Sequence, residues 1–79
     1  MLSIRGDMME LAEIIKSIRG ELQITQEELA HEIHVSFSTV NRWENKKAVP
    51  NRMARALLLD FCEKKAVKAE LVELLKKNK

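Results

Sequence analysis

The stretch from Thr25 to Asn45, TQEELAHEIHVSFSTVNRWEN, carries two helix-start signatures eleven residues apart, and that spacing constrains this chain more than any other feature. In the first, Ile24-Thr25-x-x-Glu28-Leu29, the Thr25 hydroxyl can accept from a free backbone N–H while Glu28 reaches back, a capping box, and Ile24 can staple onto Leu29. In the second, Val35-Ser36-x-x-Thr39-Val40, Ser36 is the cap and Val35 packs on Val40. Two helices this short bury too little to form a core alone. They are suited to holding one helix out for another molecule to touch.

The rest of the chain supplies the core. Asp7-x-x-Glu10 can open a first helix, along which Met8, Leu11, Ile15, Ile18 and Leu22 form one apolar stripe at three- and four-residue spacing. Gly20 lies inside that pattern and costs roughly 1 kcal/mol against alanine, so the helix end is expected to fray there. The second helix turns Leu29, Ala30 and Ile33 inward, His34 and Val35 link it to the third, and the third runs from about Phe37 to Asn45. Lys46 to Pro50 reads as a loop, and Asn51 caps a fourth helix through Met53, Leu57, Leu58 and Phe61. A fifth, ending near Lys77, buries Val67, Leu71, Leu74 and Leu75. One continuous helix from Asn51 would keep Leu58, Cys62, Ala66, Ala69 and Val72 in register. The pairs Leu57–Phe61 and Leu71–Leu75 fall out of phase across Lys64 and Lys65, however, which favours a bend near Lys65 to Val67 and two helices.

Composition agrees with a small all-α domain. At 79 residues the chain has room for one domain, and 46% hydrophobic with 33% charged residues suits a modest core under a charged surface. One Trp, two Phe, no Tyr, two Gly and one Pro disfavour a sandwich of hairpin-linked strands. The longest purely apolar run, Ala56 to Leu59, is far too short to span a bilayer, and no secretory leader is expected, so the reducing cytoplasm is the expected location. The single cysteine, Cys62, reads as a small buried hydrophobe among Leu58, Leu59 and Phe61. Net charge is only +2, but its distribution is uneven. Up to Val35, three basic residues (Arg5, Lys16, Arg19) face seven acidic ones. From Ser36 to Arg55, five basic residues (Arg42, Lys46, Lys47, Arg52, Arg55) face Glu44 alone. An anionic polymer would sit over that basic middle.

On a wheel at about 100° per residue with Phe37 at zero, Thr39, Val40 and Trp43 fall on one side and Phe37, Ser38, Asn41, Arg42 and Asn45 on the other. The second face holds a ring, a hydroxyl, two amides and a guanidinium, and no carboxylate. Arg forks to guanine, Asn to adenine, Ser reads either, and an apolar ring meets the thymine methyl. Trp43, on the inner side, has a core role.

The same residues carry a family resemblance. The pattern Thr-Gln-x-x-Leu-Ala, then Val-Ser-x-x-Thr-Val, then Trp-Glu-Asn resembles the helix-turn-helix of the Cro and CI-type (XRE-like) repressors of phages and bacteria, with matching positions from about Leu11 to Leu59. The resemblance implies a lambda repressor-like bundle of about five helices. It implies that Phe37, Ser38, Asn41 and Arg42 meet base edges. Gln26, Asn45, Lys46 and Lys47 would then contact backbone phosphates, with Gln26 helped by its helix start. Arg19 occupies the first-helix position whose Arg pairs in this family with the Glu of the third helix, here Glu44, fixing the angle of the reading helix. This chain departs from the family at two places where glycine is common: His34 stands in the turn and Lys46 follows Glu44-Asn45.

Other chemistries have little footing. His31-Glu32-Ile33-His34 lacks the four-residue His spacing of a zinc-protease helix and has no third ligand, so no metal or cofactor is expected. No nucleophile–base arrangement or phosphate-cradling glycine loop appears, and no enzyme or small-molecule site is expected. The reading is one domain over 1–79 with an arm at 1–6, the motif at 25–45 and a C-terminal helix over 66–79. It acts as a sequence-specific regulator, a repressor, on double-stranded DNA. Two copies would bind neighbouring half-sites, and Leu71, Leu74 and Leu75 either form the dimer surface or close the monomer core. The alternative is a protein-interaction module on the same fold, such as an antitoxin or restriction-system accessory.

Overall fold

The computed structural model describes residues 10–78. These form an all-α bundle of five helices: α1 (Leu11–Leu22), α2 (Gln26–Glu32), α3 (Phe37–Glu44), α4 (Arg52–Lys64) and α5 (Ala69–Lys77). The arm at 1–6 and the roles given to Asp7 and Met8 lie outside the described residues.

Helix α1 is the central member, packed against α3 and α5, while α2 packs on α3 and α4 on α5. Its buried face is wider than one stripe: Leu11, Ile14, Ile15 and Ile18 are all buried, and Leu22 is half-buried at the edge. Ile14 is added because α1 is covered on more than one side. Leu29 and Ile33, Val40 and Trp43, then Leu58, Phe61, Cys62, Val67, Leu71 and Leu75 complete one core.

Two corrections concern the ends of this core. Met53 is 73% exposed, because the buried face of α4 runs through Ala54, Leu58, Phe61 and Cys62 and leaves Met53 to one side. Leu71 and Leu75 are buried in the monomer and Leu74 is half-buried, so these leucines close the core and are not a free dimer surface. Val72, unassigned in the sequence reading of α5, is buried beside them.

The starts of α2, α3 and α4 are as their side chains dictate. The Thr25 hydroxyl accepts from the Glu28 backbone N–H at 3.0 Å, and the Glu28 carboxylate accepts from the Thr25 N–H at 2.8 Å. Ser36 accepts from Thr39 N–H at 3.1 Å, and Asn51 from Ala54 N–H at 2.8 Å. Each cap satisfies a backbone donor that the helix itself cannot.

The helix ends are less expected. Gln23, His34, Lys46 and Ala66 all have left-handed backbones, with φ of 57°, 62°, 63° and 56°. Each makes the same pair of reverse bonds. Ile24, Val35, Lys47 and Val67 donate to the carbonyls of Arg19, Ala30, Arg42 and Cys62, while the left-handed residues donate to Gly20, His31, Trp43 and Glu63. This is the Schellman ending, normally closed by glycine. Here four helices end this way with no glycine, at about 1–2 kcal/mol of backbone cost each. In three of them the next residue, Ile24, Val35 or Val67, packs on the core and offsets that cost. The Ala66 ending supplies the break between α4 and α5, and α5 starts at Ala69, not at residue 66. Gly20 does not end α1, which continues to Leu22.

Candidate nucleic-acid interface

Helix α2, a turn at His34 and Val35, and α3 form the helix-turn-helix unit. His34 takes the left-handed conformation that glycine usually supplies in this turn, and Lys46 does the same after α3. Histidine and lysine thus take up the strained conformation at both turns.

What fixes α3 is a polar cluster between α1, α2 and α3. Arg19 Nε donates to Glu44 Oε2 at 2.7 Å and Nη2 to Oε1 at 2.8 Å, a two-pronged pair, while Nη1 donates to the Ile24 carbonyl at 3.1 Å. Glu44 is only 3% exposed, so one guanidinium satisfies a nearly buried carboxylate and a carbonyl of the link between α1 and α2 together. Burial pushes the Glu44 carboxyl up. The hydrogen bonds from Arg19 and Gln26 and the charges of Arg19 and Lys16 outweigh it, holding the group below the usual carboxylate range. Arg19 is shifted up, chiefly by its hydrogen bond to Glu44 against the opposing effect of burial.

The cluster continues outward. Gln26 Nε2 donates to Glu44 Oε1 at 2.9 Å, and Asn41 Nδ2 donates to Gln26 Oε1 at 3.1 Å. Asn45 Nδ2 donates to the Asn41 carbonyl at 2.9 Å and to Asn41 Oδ1 at 3.1 Å. The only acid of α3 is therefore turned inward and neutralised. Phe37, 49% exposed, stands on the outer face with the exposed Ser38 and Arg42.

A model of the helix-turn-helix family matches residues 15–59, more than half of the chain and all of this unit. The chain belongs to that family, of the Cro/CI type. No curated protein and no solved structure matches it. Helix-turn-helix proteins of this type are DNA-binding regulators, a family not typically enzymatic. Among the described residues no helix is long and apolar enough to cross a membrane.

On this helix-turn-helix unit the singled-out residues fall into distinct places. Phe37, Ser38 and Arg42 share the exposed face of α3, whereas Asn41 is half-buried and engaged with Gln26 and Asn45. Gln26 opens α2, also half-buried. Lys47 is exposed just past α3, and Lys46 is held to Glu10 across 2.8 Å. That exposed pair is worth at most about 1 kcal/mol, little enough for a phosphate to displace it. Trp43 is buried, in the core role expected of it.

The sequence reading missed the bonds of Gln26 to Glu44 and Asn41. They join residues 18 and 15 positions apart, and no local spacing announces them. It also counted Arg55 among the basic residues of the middle segment. Its guanidinium instead donates to the carbonyls of Leu75, at 3.1 Å, and Asn78, tying α4 to the end of α5. Cations stabilise helix C-termini in this way.

Proposed function

We propose that this chain is a sequence-specific repressor that lays α3 in the major groove of double-stranded DNA. The observation that carries the reading is the outer face of α3. Phe37, Ser38 and Arg42 are exposed, while the helix's one carboxylate, Glu44, is buried against Arg19. A face stripped of acid in this way meets phosphate-lined DNA without repulsion, and its ring, hydroxyl and guanidinium match groups on base edges. Gln26, Lys46 and Lys47 flank it as phosphate contacts, which fix register and leave sequence to the groove residues, while the Asn45 amide expected beside them gives both its N–H groups to Asn41. Repression then follows from occupying a control site, and the cytoplasm is where such a protein meets its DNA.

A single module buries limited surface, so we place two copies on half-sites about one helical turn apart. If they pair through large apolar side chains outside α3, Val49 and Met53 are the ones that the bundle leaves exposed among the described residues. Selection of bound duplexes from a random pool, with salt titration, tests the reading. Recovery of a two-fold symmetric site whose affinity falls with salt supports it, and no enrichment at low salt overturns it.

A further inference from the structure

The amides of Gln26, Asn41 and Asn45 are not interchangeable in orientation. Glu44, ionised and paired with Arg19, can only accept. Gln26 must therefore turn its NH2 group toward Glu44, which leaves its oxygen for Asn41. Asn41 must in turn present NH2 to Gln26 and oxygen to Asn45. Reversing any one amide would set oxygen against oxygen or NH2 against NH2. Hydrogen bonds thus run in one direction, from Asn45 through Asn41 and Gln26 to the carboxylate. The buried charge at the inner end sets the polarity of every amide up to the surface.

Hydrogen counting then says what is left over. Gln26 Nε2 carries two N–H groups, one given to Glu44, so one donor remains on a half-exposed side chain at the start of α2. That is the polarity an anion requires. By the same count Asn41 keeps one N–H and one oxygen lone pair, but the side chain is half-buried and its amide is held between Gln26 and Asn45, so turning it to fork onto adenine would break both of those bonds. We infer that Asn41 is a positioning residue: it locks the Gln26 amide with its spare N–H available to a backbone phosphate, and it does not itself read a base. This rests on the DNA-binding reading above and replaces the base contact expected of Asn41 from the sequence.

The test combines a double-mutant cycle on DNA with a measurement on the free protein. Asn41→Ala removes the donor to Gln26 but leaves the backbone carbonyl that also accepts from Asn45. It should weaken binding to every duplex alike, by about three- to tenfold for one hydrogen bond. Most of that loss should vanish in a Gln26→Ala background. A changed preference at one base position, a loss that simply adds to that of Gln26→Ala, or no loss at all would each overturn the inference. In the free protein, the side-chain NH2 resonances of Gln26 should shift in Asn41→Ala, whereas an unaltered pair of resonances would overturn the relay. Because this second readout needs no DNA, it separates a failure of the relay from a failure of the DNA reading. A merely structural role for Asn41 would lower the melting temperature without producing the coupling to Gln26.

Discussion

At the scale of single residues, the molecule depends on one charge pair. Arg19 and Glu44 lie 25 positions apart and join the first and third helices through two short bonds. Arg19→Ala leaves a nearly buried carboxylate without its cation, and should cost about 3 kcal/mol of stability in denaturant unfolding. A cycle with Glu44→Gln should show strong coupling, and additivity would contradict the pair. The pH dependence follows from the direction of the shift. Glu44 is held below its ordinary value, so its contribution is fully present above the usual carboxylate range and is lost as pH falls through its folded value. Acid titration of the melting temperature should therefore be flatter in Glu44→Gln than in the parent. Cys62 behaves oppositely. Burial, aided by Glu21 and Glu63, pushes its thiol from the ordinary 9.0 up to about 11. Folded protein should react with thiol reagents at pH 8 only at the rate of unfolding, and the unfolded chain at once. Above pH 9 the unfolded state releases the proton first, so stability should decline across that window.

At the scale of helices, starts and stops follow different rules. Although α5 opens at Lys68 without a side-chain cap, its N–H taken by the distant Glu21, the starts of α2, α3 and α4 obey local side-chain chemistry, with Thr25, Ser36 and Asn51 capping as their positions dictate. The stops do not, since the four left-handed endings carry Gln, His, Lys and Ala in place of glycine. Ala66→Gly should accordingly raise stability, by about 1 kcal/mol, read as a rise in melting temperature of several degrees. Within α1 the opposite exchange is indicated. Gly20 is exposed, has an ordinary helical backbone, and a methyl group there would meet nothing within 4 Å. Gly20→Ala should stabilise by about 1 kcal/mol, and a loss would show that something else requires the glycine.

At the scale of the whole molecule, five helices serve to present one of them. The core closes through α1, α4 and α5, and the polar cluster sets the attitude of α3 against it. In the proposed complex Arg42→Ala should cost about 1–3 kcal/mol and relax preference at one base position. For a symmetric dimer that relaxation appears twice, once in each half of the selected site. Unchanged preference in both halves would remove Arg42 from base reading. Gln26→Ala should instead lower affinity for all sequences together, and selective loss at one sequence would contradict a phosphate role.

Much of this was legible in the sequence because caps and apolar stripes are local. Thr25-x-x-Glu28 and Ser36-x-x-Thr39 fix where α2 and α3 begin, and the spacing within α3 already turns Phe37, Ser38 and Arg42 away from Trp43 and Val40. The resemblance to Cro/CI-type regulators added the pairing of Arg19 with Glu44. Tertiary structure alone decided three things. Met53 lies outside the core and Leu71 and Leu75 inside it, because burial depends on which neighbours cover a helix face. Arg55 serves the end of α5, because its carbonyl partners lie 20 and 23 positions away. Asn41 faces Gln26 because α2 and α3 bring two amides together beside a buried charge, whose sign then orients both. Periodicity along the chain determines which way a side chain leaves its own helix. Only the packing of helices determines what it meets.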